Sequence, residues 1–67
     1  MVVYVEDLVK AMPYTQSISV YDIYDSMWLM NSEPVERFRQ RYLDTYGRWT
    51  VRSIFTENNS IVLRIMP

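Results

Sequence analysis

The stretch from Ser32 to Gly47 constrains this chain most, because a helix start and a helix stop are both written into it. Asn31 and Ser32 are residue types that cap helix N-termini. Pro34 falls in the first turn, where its missing N–H costs nothing. Val35, Phe38, Tyr42 and Tyr46 then make one apolar stripe at helical spacing, with Leu43 at its edge. Glu33 with Arg37, and Glu36 with Arg39, are spaced for mutual support. Gly47 is the only glycine in the chain, and a left-handed C-terminal cap is the natural use for it. The spacing predicts a helix over 33–46.

The flanking segments organise around this helix. Val2 to Val5 is β-branched and aromatic, which suits a short opening strand. Val5, Leu8, Val9 and Met12 then recur at i, i+3, i+4 and i+7, the signature of a short amphipathic helix. Glu6 and Asp7 in its first turn and Lys10 near its end complement the helix dipole, and Pro13 stops it. Ser17 to Asp22 alternates, with Ile18 and Val20 on one face and Ser17, Ser19 and Tyr21 on the other. Ile23 to Asp25 reads as a turn, and Ser26 to Asn31 as a strand apolar on both faces. After the long helix, Arg48 to Phe55 reads as a strand, with Trp49, Val51, Ser53 and Phe55 opposed to Thr50, Arg52 and Ile54. Glu57 to Ser60 is a turn, since asparagine tolerates positive φ. Ile61, Leu63 and Ile65 alternate with Val62, Arg64 and Met66. The expected fold is α+β: a small antiparallel sheet of about four strands with two helices, in the order α-β-β-α-β-β.

Size and composition narrow the function. Sixty-seven residues make a single domain, 1–67. Apolar residues are 49% and aromatics 15%, too many for a disordered chain. A core this small is marginal. Without cysteine no disulfide reinforces it, and without histidine or cysteine a zinc site is excluded. Association with a partner is therefore expected. No run approaches the roughly 20 apolar residues of a membrane span. The N-terminus lacks the basic leader and apolar run of a signal peptide, so a cytoplasmic location is expected. On that expectation the sequon Asn58-Asn59-Ser60 is a chance match.

No stretch names a chemistry. The absence of histidine and cysteine removes the usual general base near neutral pH and the common thiol nucleophile. No serine lies in a nucleophile elbow, and one glycine cannot build a phosphate-cradling loop. Asp22 and Asp25 flank a turn, and two carboxylates make a poor cation cage. Neither catalysis nor a cofactor is expected.

Three features point to binding instead. Net charge is −1, yet residues 1–36 carry −5 and residues 37–67 carry +4. Arg37 and Arg41 project from the outer face of the expected helix. With Arg48 and Arg52 they suit polar contacts to a protein partner, or phosphate contacts with Tyr42, Tyr46 and Trp49 nearby. The interleaved Glu33, Glu36 and Asp44 and the negative total charge weigh against nucleic acid, and favour a solvated face braced by ion pairs. The second feature is the doubly apolar run Met27-Trp28-Leu29-Met30. In a sheet covered on one face, either Trp28 and Met30 or Met27 and Leu29 must point away from the helices, unless the strand buries both faces. Val62, Met66 and Ile54 are placed to share that surface. The third is an excess of methionine, tyrosine and tryptophan, typical of protein-contacting surfaces. Met27, Trp28, Met30 and Met66 are the apolar anchors expected on this reading.

Val20-Tyr21-Asp22 and Val51-Arg52-Ser53-Ile54, in the order helix, strand ending in Tyr-Asp, middle helix and closing hairpin, resemble small accessory proteins of Gram-positive phages and prophages. Some of those resemble anti-CRISPR inhibitors. The resemblance implies an inhibitor that binds a larger host protein, such as a nucleic-acid or defence enzyme, through protein contacts. It assigns no site residue. The expected partner is a larger protein; the alternatives are nucleic acid, bound through the arginine-bearing helix face, and a second copy of the chain in a homodimeric structural or assembly protein. No membrane is expected.

Overall fold

The computed structural model describes residues 1–67. Helix α1 (Val5–Ala11) is followed by strands β1 (Ser17–Asp22) and β2 (Met27–Pro34). Helices α2 (Val35–Arg41) and α3 (Leu43–Tyr46) come next, then strands β3 (Thr50–Glu57) and β4 (Ser60–Met66). The four strands form one sheet in the order β2-β1-β4-β3. Both hairpins are antiparallel, as the turns require, but β1 and β4 join them in parallel. The sheet is therefore mixed, not antiparallel throughout. The reason lies in the sequence of the two inner strands. β1 and β4 hold the most buried apolar side chains, Ile18, Val20, Leu63 and Ile65. Placing them side by side at the centre seals the core, and the crossover through α2 and α3 carries the chain back so that β3 runs parallel to β2 and β4 parallel to β1.

The helices cover one face. Val5 and Val9 of α1 and Val35 and Phe38 of α2 close over Ile18, Val20, Met30, Leu63 and Ile65. Aromatic side chains extend this core towards β3: Phe38, Tyr42, Tyr46 and Trp49 stand in series with ring centroids 4.7–6.0 Å apart. No helix is long and apolar enough to cross a membrane.

The long helix expected over 33–46 is shorter and interrupted. Asn31 to Pro34 belong to β2. Ser32 is not a cap; it sits at φ 54°, and its N–H donates to the Ser19 hydroxyl at 2.8 Å. The first N–H groups of α2 donate to loop carbonyls instead, Val35 to Gln16 at 2.8 Å and Glu36 to Tyr14 at 3.1 Å. Tyr42, at φ −121° and ψ −12°, separates α2 from α3. Its dihedrals depart from the helix while its N–H still donates to Phe38.

Gly47 closes α3 in right-handed geometry, with φ −59°, so the left-handed cap is not formed. The glycine is required by space. A Cβ at position 47 would stand 2.5 Å from the Leu43 carbonyl oxygen and 3.2 Å from the Glu6 carboxylate. That close approach serves α1, whose first N–H groups have no side-chain cap. Glu6 N–H donates to the Gly47 carbonyl at 2.9 Å and Val5 N–H to the Trp49 carbonyl at 2.8 Å. The opposite end of α1 is closed by Arg39, whose Nη2 donates to the carbonyls of Val9 and Met12, each at 2.8 Å. Arg39 therefore does not pair with Glu36. Its charge lies at the C-terminal end of α1, where the helix dipole favours a cation.

Candidate functional site

The face of the sheet away from the helices carries an aromatic patch. Alternation along β1 and β4 turns Ser17, Ser19, Tyr21, Val62, Arg64 and Met66 to that face, opposite the buried Ile18, Val20, Leu63 and Ile65. Cross-strand register adds Trp28 beside Tyr21, and Phe55 beside Val62. Trp28 is 50% exposed and Phe55 45% exposed. Val62 lies between them at 2%, buried although no helix covers it. Tyr21 meets Trp28 edge to face, with centroids 5.0 Å apart, which holds the indole in place. A shallow groove runs over Tyr21, Trp28, Phe55, Glu57 and Arg64.

One end of the face is polar. The hydroxyls of Ser17 and Ser60 are 2.6 Å apart, and Ser60 donates to Ser32 at 3.2 Å. Asn31, Ser32 and Asn58 line a small cleft beside Trp28.

The structure separates the four expected anchors. Met30 is 2% exposed and lies in the core, so it is no surface anchor. Strict alternation would put Trp28 and Met30 on one face. A register shift between Val20 and Tyr21 breaks it, opposing Trp28 to Tyr21 and Met30 to Val20 with Leu29 as the extra residue. Met27 is 48% exposed at the start of β2, opposite Asp22. Met66 is half-buried near the end of β4, beyond Arg64. A further bulge, at Arg52 in β3, sets Ser53 opposite Arg64 and Val51 opposite Ile65. It moves Ile54 to the helix side of the edge strand and leaves Phe55 in the patch. Sequence reasoning therefore placed Ile54 in the patch and passed over Phe55, Tyr21 and Arg64.

The arginines do not converge. Arg37 pairs with Glu33 at 2.9 Å and shares α2 with Arg41, on the part of the molecule next to β2. Arg48 and Arg52 lie beside β3, at the opposite edge of the sheet. Arg48 stacks on the Tyr4 ring at 5.0 Å and stands 3.9 Å from Glu6. Asp22 and Asp25 close the β1–β2 turn, the Asp25 N–H donating to the Asp22 carboxylate at 3.0 Å. The second Asp22 oxygen is buried without a hydrogen-bond partner. Burial raises the pKa of the Tyr46 hydroxyl above its ordinary value, with the charges of Asp22 and Asp25 and the neighbouring Tyr42 adding to the effect.

No protein-family model, curated protein or solved structure matches the chain.

Proposed function

We propose that this chain is a non-catalytic protein-binding module and that the helix-free sheet face is its contact surface. The observation that carries the reading is a tryptophan and a phenylalanine left about half exposed on either side of a buried valine. A small domain with four strands and little core gains nothing from exposing those rings to water, so a partner that covers them is favoured. Tryptophan held by a neighbouring ring is the residue type that dominates interface energetics. Arg64 and Glu57 beside the rings supply orientation more than affinity. Inhibition of a larger nucleic-acid or defence enzyme is the finer form of this reading, and it rests on the resemblance to phage accessory proteins.

The charge layout favours protein over nucleic acid. The open face carries one arginine and one glutamate, and the remaining arginines are spread over distant parts of the surface. Phosphate tracking needs a continuous basic path.

The test is capture on the immobilised chain from a nuclease-treated lysate of the cells that carry its gene. The wild type should retain one protein in stoichiometric amount, and Trp28→Ser with Phe55→Ser should lose it. Equal retention by both would overturn the assignment of the face. Retention of nucleic acid alone, falling steeply with salt, would replace the proposal with a stacking surface.

A further inference from the structure

We infer that two copies of this chain pair edge to edge through β3, joining their sheets into one of eight strands. The two sheet edges differ. β2 is a poor docking edge, since two register shifts, Ser32 at positive φ and Pro34 interrupt it. β3 has one bulge, at Arg52, and regular pairing from Ser53 to Glu57. The start of β3 is already covered from outside: Tyr4 bridges Thr50, and Val51 N–H donates to Val3 at 2.8 Å. The free edge therefore runs from Ser53 to Glu57 and is centred on Phe55. It holds no proline or lysine, and Ile54 is 53% exposed.

The ladder fixes what this edge offers. Asn58 and Asn59, at φ 51° and 66°, make a two-residue turn closed by Glu57 and Ser60. The residues that close such a turn are hydrogen-bonded to each other. Alternation then turns the N–H and C=O of Thr56 and Ile54 outward. These outward residues are symmetric about Phe55. A second copy placed antiparallel on a two-fold axis through Phe55 sets Ile54 against Thr56 of its mate, and Thr56 against Ile54. Each pair exchanges both main-chain hydrogen bonds, and the two Phe55 rings meet on the axis.

Charge fits the same register. It sets Ser53 opposite Glu57 of the second copy, while Arg64 flanks Ser53 on the other side. All three share the open face, so Arg64 reaches over the small serine towards the incoming carboxylate, twice by symmetry. A second copy therefore satisfies the edge, the rings and the charges together. The junction covers Phe55, Glu57 and Arg64 and leaves Trp28 free on the far side of each sheet, so it shares those three residues with the surface proposed above; Thr56, whose side chain lies on the opposite face, separates the two.

Analytical ultracentrifugation tests the pairing, and single cysteines test the register, because the chain has none of its own. The wild type should sediment at twice the 8.1 kDa of one chain, with dissociation in the micromolar range. Thr56→Pro removes an outward N–H without touching the β4 ladder, and it should give a folded monomer by circular dichroism. Mild oxidation should cross-link Phe55→Cys to itself, and Ile54→Cys only when mixed with Thr56→Cys. A wild type that stays monomeric into the millimolar range would overturn the proposal. So would a dimer that survives Thr56→Pro, or cross-linking of Ile54→Cys alone in preference to Phe55→Cys.

Discussion

Arg39 ties the two longer helices together through one side chain. Its guanidinium serves the carbonyls of Val9 and Met12, and more weakly that of Lys10 at 3.4 Å. Arg39→Ala would leave these acceptors short of a charged donor, so a loss of about 1–3 kcal/mol is expected in urea denaturation. Arg39→Lys, with a single cationic head, should recover part of it. Gly47 makes a sharper test of cause. A left-handed glycine tolerates replacement by asparagine. Gly47 is right-handed and crowded by the Leu43 carbonyl, so Gly47→Asn and Gly47→Ala should both cost more than about 1 kcal/mol. Met30 and Trp28 lie two residues apart and should behave oppositely. Met30→Ala empties a core position and should cost about 2–5 kcal/mol. Trp28→Ala removes a half-exposed ring and should cost less.

At the scale of elements, most of the order was legible because hydrophobic period and turn residues agree. α1, β1 and β4 follow from apolar spacing, and the turn expected over 57–60 follows from asparagine's tolerance of positive φ, with Glu57 and Ser60 taken into the strands. The parallel pairing of β1 with β4 was not read: their apolar side chains mark them as the inner strands, but the direction in which the two hairpins meet is set by the helical crossover between them. The short α2 has the same kind of origin. Asn31 and Ser32 have cap chemistry, but they fall in an irregularity of β2, where the Ser32 N–H donates to the Ser19 hydroxyl, and the carbonyls of Tyr14 and Gln16 capped the helix instead. The bulges at Leu29 and Arg52 shift side-chain parity by one residue, which is why Trp28 and Phe55 form a patch while Met30 and Ile54 leave it. The α3 region also carries a pH dependence. The Tyr46 hydroxyl has a raised pKa in the folded state, chiefly through burial. Its contribution to stability is therefore complete below the unfolded value, about 10, and is lost as pH rises through the folded value. Thermal melts across the alkaline range should show the wild type losing stability faster than Tyr46→Phe.

For the molecule as a whole, the two faces of the sheet divide the work. One face and its helices make a core with few residues to spare. The other face holds the aromatic patch, with Val62 buried between rings that are themselves half exposed. If the open face is a contact surface, binding and folding are separable at Trp28. The direct measurement is a calorimetric titration of the captured partner against the wild type and Trp28→Ala, with a urea midpoint for each. Trp28→Ala should lose at least about 30-fold in affinity, the scale of an interface hot spot, with the urea midpoint little changed. Arg41→Ala, on the far side of the molecule, should change neither. Unchanged affinity for Trp28→Ala, or a loss of affinity matched by collapse of the fold, would mean that the open face is not the contact surface.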